Sequence, residues 1–93
     1  MAKKIKKLKT PDLNQSLTTE LLGLAIKARR TQSNLRLEDA AALCGVAKHT
    51  LQRIEHGETA SQMGTVLRIC SSLGIQLVIT PWHNEDEDDN EWH

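Results

Sequence analysis

The sequence predicts an all-α fold of four helices followed by one C-terminal β-strand, with the strand pairing across a homodimer. Three observations carry this reading. The 93 residues include no Phe or Tyr, and both tryptophans, Trp82 and Trp92, fall at the C-terminal end, so the core must be built from Leu, Ile, Val, Ala, Met and Cys, which is a helical style of core. Apolar residues recur at helical spacing in segments punctuated by Gly45, Gly57 and Gly74. A single run, IQLVIT at 75–80, changes to the β-branched composition of a strand. A chain of this length makes one domain with a marginal core, so a second copy would add burial that one copy lacks.

In order, the first helix is predicted to start among Ser16, Thr18 and Thr19, whose hydroxyls can cap it, and to run to about Gln32. Leu22 and Ile26 face the core, while Leu21, Leu24, Ala25 and Ala28 make the helix more apolar than one interface requires, a surplus that suits a dimer partner. Ser33 and Asn34 form the loop to a second helix, Leu37 to Leu43, whose first turn carries Glu38 and Asp39 where negative charge suits the macrodipole. A third helix, Lys48 to His56, stops at Gly57. Ser61 can cap a fourth, Gln62 to Leu73, with Met63, Val66, Leu67, Cys70 and Leu73 as its core stripe and Arg68 outside it. The strand residues are Ile75, Gln76, Leu77, Val78 and Ile79. Nothing else in the chain reads as a strand, so the economical partner for these unpaired backbone groups is the same segment of a second copy.

The stretch from Leu37 to Gly57 organises the rest. Ala41 supplies the small residue needed where two helices cross steeply, and Gly45 the left-handed residue that ends the first of them. Ala40, Cys44, Val46, Leu51 and Ile54 point both helices into one core, which leaves Lys48, His49, Gln52, Arg53 and His56 on the opposite face of the second. This is the pattern of a helix-turn-helix, whose polar outer face can enter a DNA major groove.

At these residues the stretch resembles the DNA-binding domain of the Xre/phage-repressor family, the similarity running from about Leu22 to Leu73. The resemblance implies base-edge contact from Lys48, His49, Gln52 and Arg53, with Thr50 near a phosphate. It also implies an internal charge pair between Arg30 and Glu55. Two positions depart from the family pattern: Leu37 stands where a glutamine is usual, and Ala47 where a capping Ser or Thr is common. Four helices, one strand and a polar tail ending near a Trp resemble the narrower class of HipB-type antitoxins. That likeness implies a dimer sharing a two-stranded sheet, a palindromic operator, and a HipA-like toxin kinase as partner.

The net charge is zero, but the charges are segregated. Lys3, Lys4, Lys6, Lys7 and Lys9 crowd the first ten residues without an acid, and Glu85, Asp86, Glu87, Asp88, Asp89 and Glu91 crowd the last thirteen without a Lys or Arg. Residues 1–15 therefore read as a flexible basic arm, which is either a solubilising tail or a contact for the DNA backbone. Residues 16–80 form the DNA-binding and dimerisation domain, and residues 81–93 an acidic disordered tail. Pro81 blocks continuation of the strand, and Trp82 and Trp92 bracket the acids as the anchors of a partner-binding peptide. Cys44 and Cys70 read as buried thiols, and His83 and His93 as bystanders; no metal site, cofactor or catalytic residue is expected, and the chain is not expected to be an enzyme. With no apolar run long enough to span a bilayer and no signal-peptide core, a cytoplasmic protein without membrane contact is expected. Three functions remain open at this point: an autoregulating antitoxin, a free-standing Xre-type regulator, and a toxin-neutralising protein with little DNA binding.

Overall fold

The computed structural model describes residues 5–58 and 60–82, and in them four helices follow in order: α1 (Thr19–Gln32), α2 (Leu37–Cys44), α3 (Lys48–Glu55) and α4 (Met63–Ser72). Each starts and stops for a local reason. The Thr18 hydroxyl accepts the Leu21 N–H at 3.0 Å to open α1, and Arg29 and Arg30 lie in its last turn, where cations suit the carbonyl end. The Asp39 carboxylate accepts the Arg36 N–H at 3.3 Å at the start of α2, and Gly45, at φ 71°, ends it in the left-handed conformation. Ala47 begins α3 with no side-chain cap.

These elements close on an aliphatic core of Ile26, Ala40, Ala41, Cys44, Leu51, Ile54, Ile69, Cys70 and Leu73, all buried, so that each helix contributes. α1 and α3 approach closely at Gly23, where a Cβ would lie 2.5 Å from the Glu55 carbonyl oxygen and 2.6 Å from that of Ile54. Hydrogen there lets one backbone rest on the other. The two thiols are free and buried, and desolvation pushes both pKa values up, so neither is a ready nucleophile at neutral pH. No helix among the described residues is long and apolar enough to cross a membrane.

The structure departs from the sequence reading at four places. α4 has Gln62, not Ser61, at its cap position, and no side chain bonds there. Its core residues are Ile69, Cys70 and Leu73, with Val66 half-buried against them, because the first turn of this short helix does not reach the core. Met63 and Leu67, expected inside, are exposed. On α1 the apolar surplus is partly absorbed: Leu21 and Ala28 are buried, whereas Leu24 is exposed.

The fourth departure is at the end of the chain. Among the described residues there is no β-strand: residues 75–80 follow α4 without a ladder, since a single copy offers them nothing to pair with. The Ile75 N–H bonds to the Cys70 carbonyl at 2.8 Å, and beyond it the N–H groups of 76–80 have no partner among the described residues. Leu77 packs on the core while Val78 and Ile79 face out, 78% and 84% exposed. With Leu17, Leu22, Met63 and Leu67 they line an apolar groove of about 660 Å³ between α1 and α4.

Candidate nucleic-acid interface

The interface is built outward from the turn at Gly45. Leu51 and Ile54 hold α3 down on the core, and their spacing dictates which side chains are left outside. Lys48, His49, Gln52 and Arg53 are exposed along one side of α3, Thr50 is half-buried at its flank, and His56 is exposed at its end. Five polar side chains of α3 thus line an eight-residue helix with donors in reach of a groove. The first turn of α3 contains no acid, so its free N–H groups and positive end are open to a phosphate.

Beneath this face Arg30 and Glu55 meet as a bidentate pair. Arg30 Nε and Nη2 donate to the two Glu55 carboxylate oxygens at 2.6 and 3.0 Å, and Nη1 donates to the Leu35 carbonyl at 3.0 Å. Both side chains are nearly sealed from water. The guanidinium therefore ties the end of α1 to the end of α3 and to the loop before α2 in one network. Arg29 makes a parallel tie, donating from Nε to the Leu73 carbonyl at 2.8 Å, and Arg68 reaches the Gly45 carbonyl at 3.4 Å. The Arg30–Glu55 pair is the tie that holds α3 itself from behind.

Two of the outward cations are partly engaged by carboxylates that sequence reasoning did not single out. Arg53 Nε donates to Glu58 at 2.9 Å, and Lys48 Nζ lies 3.9 Å from Glu38. The signal for the first was available, since Gly57 turns the chain so that Glu58 folds back on the last turn of α3. Both pairs are about half exposed, and such pairs contribute about 0–1 kcal/mol, so a phosphate or a guanine edge can displace either carboxylate at little cost. Of the remaining candidates, Trp82 is exposed at the edge of the described residues and Trp92 lies outside them.

Two short helices joined at a left-handed glycine, the second with a polar outer face, have the arrangement of a helix-turn-helix. Residues 21–78 match the family model described as a helix-turn-helix domain, well over half the chain, and the chain belongs to that family in its Xre-like form, a DNA-binding fold of transcription regulators. It is also similar to y4mF, an uncharacterised HTH-type transcriptional regulator of Sinorhizobium fredii, with 29% identity over 58 residues that cover 62% of this chain and 76% of that protein.

Proposed function

We propose that this protein is a sequence-specific repressor that binds a palindromic operator as a homodimer and serves as the antitoxin of a HipB-like type II toxin–antitoxin pair, controlling its own operon and holding a HipA-like kinase. The observation that carries the DNA-binding part is the outward face of α3, where Lys48, His49, Gln52 and Arg53 are all exposed while Leu51 and Ile54 anchor the helix. Arg53 or Lys48 paired with guanine discriminates among bases by about 1–3 kcal/mol, and Thr50 at the flank positions a phosphate. The antitoxin part is supported by the run of apolar residues after α4 and by the acidic tail with its two tryptophans, which suits a basic partner surface. A free-standing Xre-type regulator is the second reading, favoured by the likeness to an HTH-type transcriptional regulator.

The test is binding of the purified protein to duplex DNA from its own upstream region, with no partner added. Arg53→Ala is expected to weaken that complex by tenfold or more while changing affinity for a random duplex only slightly. Equal weakening on both would move Arg53 to a phosphate-contacting role. Retention of a kinase-like protein by the full chain, and its absence when residues after Thr80 are removed, would separate the antitoxin from the free-standing regulator.

A further inference from the structure

The basic arm is fastened to the folded domain at one point. The Leu8 N–H donates to the Thr31 hydroxyl at 3.1 Å, and the Gln32 side-chain amide donates to the Leu8 carbonyl at 2.8 Å and to the Thr10 hydroxyl at 3.0 Å. Leu8 is half-buried by this arrangement, while Lys6, Lys7 and Lys9 around it are exposed and make no salt bridge among the described residues. Three cations are thereby held at the C-terminal end of α1.

That end is tied to the last residue of the reading helix. Arg30, one residue before Thr31, is bonded to Glu55 of α3 and to Leu35 of the loop, and Lys48 of α3 lies beside Glu38 in the first turn of α2. From Gln32 to Leu37 the chain spans at most about 18 Å, a distance over which one DNA strand presents on the order of five phosphates. The first turn of α2 meets that strand poorly: it offers Leu37, Glu38 and Asp39, none of which donates a hydrogen bond as a charged or apolar side chain at neutral pH. Arg36, exposed at the cap of α2, is one cation on this segment, and the arm adds three more at the end of α1.

We propose that Lys6, Lys7 and Lys9, clamped to Thr31 and Gln32, form a second DNA contact that grips the phosphate backbone flanking the base pairs read by α3. This rests on the DNA-binding reading above. Because the arm is already ordered, its lysines reach the duplex without the conformational cost that a free tail would meet on binding.

The test uses the full chain and a random-sequence duplex of about 30 base pairs, since phosphate contacts are independent of sequence. Replacing Lys6, Lys7 and Lys9 by Gln should lower the slope of log affinity against log salt by about 0.9 for each phosphate that is no longer neutralised. Thr31→Val with Gln32→Ala removes the clamp at unchanged net charge, and should weaken binding at fixed salt by at least threefold. Matching melting curves for both variants will show that the fold is kept. A slope unchanged by the lysine replacements would overturn the proposal, and so would a clamp variant that binds as tightly as the parent, which would make the arm an ordinary free tail. If the parent binds no duplex even at low salt, the DNA-binding reading itself fails, an outcome distinct from either.

Discussion

At the scale of single residues, the buried Arg30–Glu55 pair decides whether α1 and α3 keep their relation. Two charges taken out of water are stabilising only while each satisfies the other, so the pair contributes registry more than net energy. Glu55→Ala leaves a guanidinium buried with only the Leu35 carbonyl to accept from it, and is expected to cost about 3–5 kcal/mol in urea unfolding. Arg30→Met combined with Glu55→Leu should recover most of that stability. A cost below about 1 kcal/mol for Glu55→Ala would mean that water reaches the site and the pair behaves as a surface one. Gly23 is the other sensitive position. In a solvent-facing helix Gly→Ala gains about 1 kcal/mol, but here the added Cβ would meet two carbonyl oxygens of α3, so Gly23→Ala should destabilise instead, read as a lower melting temperature. A glycine inside a helical pattern hints at close approach, yet nothing local says which element approaches. Gly23 could therefore be noticed in the sequence without being explained by it.

At the scale of elements, legibility follows how local the determinants are. Caps, glycine stops and apolar spacing act within a few residues, and the positions of α1, α2 and α3 follow from Thr18, Gly45, Gly57 and the Leu51–Ile54 pair. α4 was harder to read because Met63, Val66 and Leu67 continue the same period as Cys70 and Leu73, and periodicity cannot tell where a helix overhangs its core. Ile69, which that stripe leaves out, is fully buried. The outward face of α3 was legible for the same local reason, as was the return of Glu58 after Gly57, but Glu38, which meets Lys48, was not, since it comes from another helix. α3 also carries an avoidable weakness. Ala47 stands at its cap in extended conformation, φ −70° and ψ 146°, with no side chain to accept an orphan N–H. Ala47→Ser needs no backbone change and should raise stability by about 1 kcal/mol, measured by the urea midpoint at constant m-value. No gain would indicate that a neighbouring group or water already satisfies that N–H.

At the scale of the molecule, one copy leaves two features unmatched: a row of backbone N–H groups at 76–80 and an apolar groove beside it that exposes Val78, Ile79, Met63 and Leu67. A second copy related by a two-fold axis would pair the first and cover the second at once, and its reading helices would then address half-sites about 34 Å apart. The β-branched run at 75–80 reads as a strand in the sequence, but a lone strand has no ladder without a partner, and the segment has none in a single chain. The same fact makes the dimer testable without disturbing the monomer. The Val78 N–H has no partner among the described residues and its side chain points outward, so Val78→Pro removes nothing that one copy uses. In a dimer it removes a ladder donor and places the proline ring in the sheet. Sedimentation of the parent at micromolar concentration is therefore expected to show a dimer, and Val78→Pro a folded monomer with helical circular dichroism retained and operator affinity sharply reduced. Leu67→Glu, on the far wall of the groove, should shift the same equilibrium by burying a charge. If both variants sediment and bind as the parent does, residues 75–80 do not pair between copies, and the two reading helices must be brought together through another face, with the exposed Leu24 of α1 the next position to substitute.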